Sequence, residues 1–395
     1  MQRKKLIFIG SGGGGGYRGA DGRYTHFSTG LLLERLAEHY DRVSWCASEE
    51  REPKASLAFR VPDNVEFIPY PKIYSTLRSY AHIGEYKATY RRILSEPGDV
   101  FIRGMLPASP ALYAACRKIG ARPLHWLVGN PVALLKSHRR DGYLKDSLAM
   151  FYAKSWERGV KRGIRKTKGA FLCFGQELYD RVEGFERYNY VAAPLVDADF
   201  YQRDDTCQGA TIRVLFVGFI RPEKGVQYLV EALPKLKTTR PVELVCVGDA
   251  GGRYASYVDG IKATIAKHSL ESRVKMLGYM NKEAIQEQMR AADIFVLPTL
   301  SEGAPYVIAE SRAQSLPTIA TRVGGIPTSI TDGVDGILVP SKNSDAIASA
   351  IDRVISDGDL RRSMIKEGYK SARAMTFDLF ADKIVAILDK LNERV

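Results

Sequence analysis

The sequence predicts an α/β protein that is built from two doubly wound domains, each with a parallel sheet covered by helices. The 395 residues suffice for two domains of ordinary size, and 45% of them are apolar. Short apolar runs alternate with longer helical patterns in both halves of the chain. No run approaches the roughly 18 apolar residues that cross a bilayer, and the one after the basic start is too short for a signal peptide. We therefore expect a cytoplasmic protein.

The apolar runs mark the expected strands, and helical patterns lie between them. In the first half, strands are predicted at Leu6–Ile9, Val43–Cys46, Val65–Ile68, Val100–Ile102, Leu124–Val128 and Ala170–Phe174, with helices at Gly30–His39 and Ala111–Ile119. In the second half, strands are predicted at Arg213–Val217, Glu243–Val247, Val274–Leu277, Ile294–Leu297 and Thr318–Ala320, with helices at Val226–Leu236, Ile261–His268, Lys282–Ala291 and Val307–Gln314. This alternation favours parallel sheets.

A polar segment without periodicity, Pro194–Gly209, separates the two halves. We predict a first domain over residues 1–200 and a second over residues 210–376. A last amphipathic helix is predicted at Phe377–Leu391. Ligands of open parallel sheets bind beyond the carboxyl ends of the strands, so we expect the two domains to face a cleft there.

The five cysteines are scattered along the chain and form no C-x-x-C pair. None of them has a histidine at metal-ligand spacing. We therefore expect reduced, buried thiols, with no disulfide framework and no metal site.

A glycine-rich segment, GSGGGGGYRG, follows the first expected strand. It satisfies the G-x-G-x-x-G pattern of dinucleotide sites, as any run of five glycines does. Glycine lets the backbone present N–H groups to a phosphate or sugar, so Gly15 and Gly16 are candidate ligand contacts; a tight turn without a ligand is the alternative. A helix within this run would cost roughly 1 kcal/mol per glycine relative to alanine. We therefore expect the helix to begin near Ser28 and Gly12–Thr25 to form a long loop that orders on binding.

The second half carries a sharper pattern at the ends of its strands. Its first strand leads into GFIRPEKG, which places Arg221 and Lys224 before a helix. A later strand leads into SEGAPYVIAE, in which seven residues separate Glu302 from Glu310. The basic pair and the helix N-terminus suit a diphosphate, Glu310 suits the hydroxyls of a ribose, and Glu302 lies nearer a reacting sugar. Either glutamate alone would be an ordinary carboxylate at a helix start.

These residues resemble the nucleotide-sugar domain of glycosyltransferase family 4, a group of enzymes with the GT-B fold. The similar segments are VGFIRPEKGVQYLVEAL, ADIFVLPTLSEGAPYVIAE and VGGIPTSITDGVDGILVP, within Arg213–Pro340. The first half resembles the family in its pattern alone. The resemblance implies two Rossmann-like domains that face a cleft, with residues 377–395 crossing back to the first. It also implies that the first domain binds the acceptor and the second binds the nucleotide sugar.

The resemblance further implies an activity and roles for individual residues. The implied activity is transfer of a sugar from a nucleotide diphosphate sugar to a hydroxyl acceptor, with retention at the anomeric carbon and without a bound metal or other cofactor. Lys224 matches the lysine that binds the diphosphate, Glu310 the glutamate that binds ribose, and Glu302 the glutamate that contacts the donor sugar at the catalytic centre. Gly303 and Ala304 fall where backbone amides meet the donor.

Three positions depart from the family's pattern. Phe219 stands where an arginine usually follows the glycine, and Arg221 lies two residues later. Pro305 cannot donate the backbone N–H expected at its position. The family often has a histidine at the end of the strand that corresponds to Leu124–Val128. Here His125 lies inside that strand, and we expect it to be an ordinary packed residue.

Two other functions compete with sugar transfer. A Rossmann-type oxidoreductase would use the first glycine-rich loop together with an acidic residue at the end of the second strand, for which Glu49 or Glu50 qualifies. That function leaves Lys224, Glu302 and Glu310 without roles. The other alternative is a catalytically degenerate relative that docks on membranes or partners, since the arginine and histidine positions are changed.

The basic residues are concentrated in one segment. The chain has a formal net charge of +13, and residues 136–168 contain eleven Lys or Arg against three Asp or Glu. Such a segment attracts polyanions; a solvated face without a partner is the alternative. Its aromatic residues suit an anionic membrane surface, so we expect a lipid-linked or cell-envelope glycan as acceptor and a peripheral location at the inner membrane face. Nucleic acid is not expected, because no nucleic-acid module accompanies the charge.

Overall fold

The computed structural model of the protein describes residues 5–10, 15–50, 59–71, 81–129, 143–303 and 305–393. The chain forms two compact units. Unit 1 comprises Met1–Tyr190 and Phe377–Val395, and unit 2 comprises Val191–Thr376.

Residues 191–209, which we assigned to the end of the first domain and the link, pack within unit 2. The Ala193 N–H donates to the Met375 carbonyl at 2.7 Å. The Arg203 guanidinium donates to the Ala292 carbonyl, also at 2.7 Å. The chain therefore joins unit 2 before the polar segment ends, through long-range contacts that local composition does not reveal.

Unit 1 is built on a sheet whose strands are mostly parallel. The strands are β1 Lys5–Gly10, β2 Gly16–Arg18, β3 Arg23–Thr25, β4 Arg42–Glu50, β5 Phe59–Arg60, β6 Val65–Tyr70, β7 Asp99–Arg103, β8 Leu124–Leu127, β9 Ala170–Cys173 and β10 Arg187–Asn189. Their order is β10-β9-β8-β7-β1-β4-β2-β3-β5, and β6 also pairs with β4. The residues of β8 and β9 are all buried, as expected for strands of a parallel sheet that is covered on both faces.

Unit 2 is built on a second parallel sheet. Its strands are β11 Ile212–Val217, β12 Val242–Val247, β13 Val274–Gly278, β14 Ile294–Leu297, β15 Thr318–Thr321 and β16 Ile337–Val339, in the order β13-β12-β11-β14-β15-β16. The chain thus winds from β11 toward one edge and then, from β14, toward the other. This doubly wound arrangement confirms the predicted fold class.

The helices lie between the strands in both units. They are α1 Phe27–Ala37, α2 Ile83–Ile93, α3 Ser109–Lys118, α4 Tyr143–Thr167, α5 Gln176–Arg181, α6 Val226–Ala232, α7 Ala255–Lys267, α8 Lys282–Ala291, α9 Tyr306–Ala313, α10 Ile326–Ser329, α11 Ser344–Ser356, α12 Gly358–Arg373 and α13 Phe377–Glu393. Within the described ranges, none of them is long and apolar enough to cross a membrane.

The glycine-rich segment differs from our prediction of a long loop over Gly12–Thr25. Its described part contains β2 and β3, an antiparallel pair in which Tyr17 lies opposite Tyr24. β2 also joins the sheet, because Gly16 pairs with Glu49 of β4. The prediction was wrong for this part because it considered the helix-breaking property of glycine and not the sheet edge that the long strand β4 offers. Residues 11–14 lie outside the described residues.

Helix α13 returns to unit 1 and packs against α1. The ring of Phe380 is fully buried, with its centroid 4.9 Å from that of Trp126 and 5.5 Å from that of Tyr190. An ion pair between Arg35 and Asp378 joins the two helices at the surface. The amphipathic helix that was predicted for the last segment is therefore present, and its apolar residue Phe380 packs in the core of unit 1.

We expect Phe380→Ala to lower the free energy of unfolding of unit 1 by roughly 3–5 kcal/mol, because it leaves a cavity beside Trp126. Tryptophan fluorescence during urea unfolding measures this directly, since Trp45, Trp126 and Trp156 all lie in unit 1. The adjacent Leu379 is 43% exposed, and Leu379→Ala should change stability by less than about 0.5 kcal/mol. Equal losses in the two variants would contradict this packing.

Candidate functional site

The carboxyl ends of β11 and β14 lie side by side in unit 2. After β11 the chain continues to β12 on one side, whereas β14 is followed by β15 on the other side. A crevice opens beyond the strand ends at such a point, because the two loops leave in opposite directions. The loops that follow β11 and β14 are therefore the place to look for a ligand site.

Backbone contacts hold these two loops together. The carbonyl of Glu223 accepts hydrogen bonds from the Leu300 N–H (2.7 Å) and the Thr299 hydroxyl (2.8 Å). Gly225 has a φ of +68°, and a Cβ at this position would lie 2.1 Å from the Pro298 carbonyl oxygen. A side chain is excluded there by both the left-handed backbone and the close approach. Glycine at position 225 therefore allows the loop after β11 to lie this close to the loop after β14.

Lys224 and Glu302 meet across this junction. The Lys224 ammonium donates a hydrogen bond to Oε2 of Glu302, and the two side chains are only 20% and 17% exposed. Gly324 packs on Glu302 from the next loop, with a φ of +53° and space for no Cβ, which would lie 1.8 Å from the Glu302 carbonyl oxygen. The structure thus brings together the predicted diphosphate lysine and the predicted sugar-contacting glutamate. The ammonium is therefore already held at the strand exit, where an anion could take the place of the Glu302 carboxylate as its partner.

Arg221 contacts other residues than Lys224 does. Its guanidinium carbon lies 4.2 Å from the ring centroid of Phe219, and the Glu223 carboxylate lies 3.8 Å from it. Among the residues that the structure describes, no ion pair joins Arg221 to Glu302. The predicted basic pair is therefore present at one strand end, but its two members have different surroundings.

Glu310 lies in the second turn of α9, largely enclosed by protein but with part of its surface open. Burial raises the pKa of its carboxyl to about 7; Lys282 lowers this pKa and Asp199 raises it. Lys282 is itself bound to Asp199 at 2.7 Å. Within the described part of the chain, no group donates a hydrogen bond to the Glu310 carboxylate. It is therefore an acceptor that a ligand's hydroxyl groups can satisfy.

The segment between Glu302 and α9 contains the two predicted backbone contacts. Gly303 is exposed, and Ala304 lies outside the described residues. Pro305 is the N-cap residue of α9 and has no N–H to offer.

Gly15 and Gly16 lie in unit 1 and are buried. A Cβ on Gly15 would lie 3.0 Å from the Ser48 carbonyl oxygen, and a Cβ on Gly16 would lie 2.8 Å from the Phe67 ring. Close packing at β2 and directly before it therefore favours glycine at both positions. A nucleotide-sugar contact by these residues stays a prediction.

His125 is a buried residue of β8 whose ring nitrogens are both bonded. The Gly104 carbonyl can only accept, so Nε2 carries the proton and donates to it at 3.0 Å, and Nδ1 accepts from the Tyr113 hydroxyl. Burial lowers the pKa of His125 to about 4, which keeps the ring neutral. It is thus the packed residue that we expected.

The acidic residues proposed for an oxidoreductase lie at the end of β4. Glu49 is bound to Arg23 at 3.1 Å and lies opposite Gly16 in the sheet. A carboxylate with an arginine partner in a strand pair is poorly suited to hold the ribose of a dinucleotide. The surroundings of Glu49 therefore give this alternative no support.

The cysteines are free and buried, as predicted. Burial raises the pKa of Cys46, Cys116, Cys173 and Cys246 to about 12, so these thiols are unreactive. In the described ranges, no group of three or more His, Cys, Asp or Glu side chains could hold a metal ion.

The sequence analysis missed the residues that surround Glu310. Asp199 accepts hydrogen bonds from Lys282 and from Gln286 (2.7 Å), and its backbone carbonyl accepts one from Gln314. One signal was available, because Asn281 is a strong N-cap residue directly after β13 and places Lys282 at a strand exit. The partner Asp199 carried no signal, since it is distant in sequence.

The sequence of unit 2 matches a family of known proteins. Residues 200–371 match the family model described as Glycosyl transferases group 1. An uncharacterised glycosyltransferase of Methanocaldococcus jannaschii is 31% identical over 157 residues, which are 40% of this chain and 39% of that protein. The chain spans about two fifths of the length of the curated relatives it matches.

Solved structures resemble the whole chain. Sucrose-phosphate synthase from Thermosynechococcus elongatus has a TM-score of 0.72 at 17% sequence identity and covers 100% of both chains. The Anabaena protein HepE in complex with UDP has a TM-score of 0.61 at 18% identity and covers 99% of both chains. The chain therefore has the GT-B fold of these proteins.

Glu310 should make stability depend on pH. Its carboxyl has a pKa of about 7 in the folded chain against an ordinary value of 4.5, so the folded state binds the extra proton between these values. The free energy of unfolding should therefore fall as the pH rises through this window, by on the order of 1–3 kcal/mol.

Glu310→Gln should remove that part of the slope in unfolding curves followed by circular dichroism. The exposed Glu287 on α8 provides the matched control, and Glu287→Gln should keep the wild-type slope. An unchanged slope in Glu310→Gln would show that the Glu310 carboxyl titrates normally.

Proposed function

We propose that the protein transfers a sugar from a nucleotide diphosphate sugar to a hydroxyl acceptor. The observation that carries this proposal is the enclosed pair of Lys224 and Glu302 at the strand exits of unit 2, with Glu310 on the helix that follows the same loop. The match of residues 200–371 to a glycosyltransferase family model supports it. The UDP complex of HepE supports a nucleoside diphosphate as the part of the donor that unit 2 recognises.

The proposed chemistry depends on charge at the leaving group. When the bond between the anomeric carbon and the diphosphate breaks, negative charge develops on the phosphate oxygens, and the Lys224 ammonium stabilises it. Arg221 and the Gly303 N–H are the further donors that we assign to the diphosphate. A hydrogen bond to a charged group contributes roughly 1.5–3 kcal/mol, so loss of Lys224 alone should cost at least tenfold in donor affinity.

Glu302 acts after Lys224 has changed partner. A bound diphosphate competes with the Glu302 carboxylate for the ammonium, which frees Glu302 to hold the hydroxyls of the donor sugar. We propose retention at the anomeric carbon: the acceptor oxygen bonds to that carbon from the face that the diphosphate leaves, and the acceptor proton passes to a phosphate oxygen. No protein base is needed in this scheme, and the neutral, fully bonded His125 is consistent with it.

Glu310 is assigned to the ribose. Among the described residues no group donates a hydrogen bond to its carboxylate, and Glu310 lies on the helix that follows the Glu302 loop, so two vicinal hydroxyls can donate to its two oxygens. Ionised Glu310 is the better acceptor, so donor affinity should rise as the pH increases through about 7.

We propose that unit 1 docks on an anionic membrane surface through α4. The side chains on one face of this helix are exposed and, in the part described, include no acidic residue; this basic face consists of Phe151, Lys154, Arg158, Arg162, Arg165 and Lys166. Phe151, the most N-terminal residue of this basic face, is 64% exposed. Lys161, by contrast, lies off this face and is paired with Glu157 at 2.9 Å.

The arrangement of the basic face is unfavourable in water alone. Lys154, Arg158, Arg162 and Lys166 follow one another at i, i+4 spacing, and like charges at this spacing destabilise a helix by roughly 0.2–0.5 kcal/mol per pair. Anionic headgroups would relieve this repulsion, and the exposed Phe151 ring could enter the interface. A membrane-bound acceptor, such as a lipid-linked or cell-envelope glycan, follows from this position, with the chain held peripherally at the cytoplasmic face.

A thermal-shift panel tests donor binding. One nucleoside diphosphate among UDP, GDP, ADP and dTDP should stabilise the wild-type chain by roughly 2.7 kcal/mol when present at about 100 times its dissociation constant. The same ligand should stabilise Glu310→Ala much less and the control Glu287→Ala fully. Stabilisation by NAD(P) instead would favour an oxidoreductase. Silence from every nucleotide with a folded protein would favour a degenerate relative.

A vesicle assay tests the basic face. Replacing Lys154, Arg158, Arg162 and Arg165 by glutamine should weaken binding to phosphatidylserine vesicles about a hundredfold or more, since each basic residue near such a surface contributes roughly 1 kcal/mol. The matched control replaces four exposed lysines of unit 2, namely Lys262, Lys267, Lys366 and Lys370, and should bind as the wild type does. Equal binding by the two variants would exclude α4 as the docking surface.

A further inference from the structure

The loop after β11 exposes an aromatic ring in a rigid setting. Phe219 is 55% exposed, and hydrogen bonds of the residues on either side of it hold its backbone in place. The Gly218 N–H donates to the Val247 carbonyl (2.9 Å) and the Ile220 N–H donates to the Asp249 carbonyl (3.0 Å). These hydrogen bonds fix the loop to the end of β12 on both sides of Phe219, so the ring stays on the surface.

The side chains of this loop alternate as in a strand. Ile220 is 1% exposed and belongs to the core of unit 2. Because Ile220 points inward, Phe219 and Arg221 both point outward from the same strand exit. The side chains of Phe219 and Arg221, at positions i and i+2, therefore lie next to each other on the same surface.

Arg221 lies on this ring. Its guanidinium carbon is 4.2 Å from the centroid of Phe219 and 5.8 Å from that of Tyr254. The Glu223 carboxylate lies 3.8 Å from the guanidinium, which is too far for a strong hydrogen bond. The Phe219 ring thus covers one side of the guanidinium, and among the described residues no carboxylate forms a strong hydrogen bond with it.

We propose that Phe219 is a positioning residue that holds Arg221 ready to bind the diphosphate of the donor. This inference rests on the proposed function of unit 2 and adds a second, preorganised cation in the loop that carries Lys224. A free arginine samples many rotamers and loses that freedom when it binds an anion. An arginine already stacked on a fixed ring loses less, while its in-plane N–H groups still match the geometry of phosphate oxygens.

A double-mutant cycle tests the inference. Phe219→Ala, Arg221→Ala and the double variant are titrated with UDP, GDP, ADP and dTDP and with inorganic pyrophosphate. Phe219→Ala should weaken binding of the recognised nucleotide and of pyrophosphate about threefold to tenfold. In the Arg221→Ala background the same change should have no further effect.

Two conservative variants distinguish the effect of the aromatic face on Arg221 from the effect of side-chain volume. Phe219→Tyr keeps an aromatic face and should bind as the wild type does, whereas Phe219→Leu keeps apolar volume without that face and should behave as Phe219→Ala. Equal losses with and without Arg221 would overturn the inference, because Phe219 would then contact the ligand itself. Wild-type affinity in Phe219→Ala would overturn it as well.

A measurement without nucleotide distinguishes failure of this inference from failure of the proposed function. Phenylglyoxal labelling of Arg221, followed by mass spectrometry, should be at least threefold faster in Phe219→Ala than in the wild type and unchanged in Phe219→Tyr. If the labelling rates behave so but no nucleoside diphosphate binds the wild type, the stack exists and the proposed function is wrong. If a nucleotide binds and the labelling rates are equal, the stack does not position Arg221.

Discussion

The candidate site depends on one backbone group, the Glu223 carbonyl, which accepts hydrogen bonds from the Leu300 N–H and from the Thr299 hydroxyl. This contact ties the loop after β11 to the loop after β14, and Lys224 and Glu302 stand just beyond it in each loop. Two opposite charges on independent exposed loops would contribute about 0–1 kcal/mol and adopt many arrangements. Tied together and largely buried, they form one fixed electrostatic feature beyond the strand ends of unit 2.

The two units use charge in different ways. In unit 2 a few charged groups are enclosed and individually oriented, as with Lys224 and the high-pKa carboxyl of Glu310. In unit 1 the basic face of α4 is exposed and carries a diffuse charge of one sign. At physiological ionic strength, salt largely screens the interaction of exposed charges that lie more than about 8–10 Å apart, and it screens buried pairs much less. The proposed membrane docking should therefore depend strongly on salt, while donor binding should depend on it weakly.

The fold was predictable because buried strands of parallel sheets are continuous apolar runs that local sequence displays. The bounds of α8, Lys282–Ala291, coincide with the prediction because Asn281 caps its N-terminus. Lys224, Glu302 and Glu310 could be singled out because they follow such strands. The short strands β2, β3 and β10 were missed, since three residues show no period. The contact of Lys282 with Asp199 and the stacking of Arg221 on Phe219 depend on tertiary packing, which spacing does not encode.

The central claim is that Lys224 binds the diphosphate of a nucleotide. A ³¹P NMR titration of UDP, GDP, ADP and dTDP with the full chain tests it most directly. For one of these nucleotides, the account predicts that the resonance of the terminal phosphorus shifts on binding. This shift should be lost in Lys224→Gln and retained in Lys275→Gln, which changes an exposed lysine of β13. The same shift in Lys224→Gln, or no shift for any of the four nucleotides, would contradict the claim.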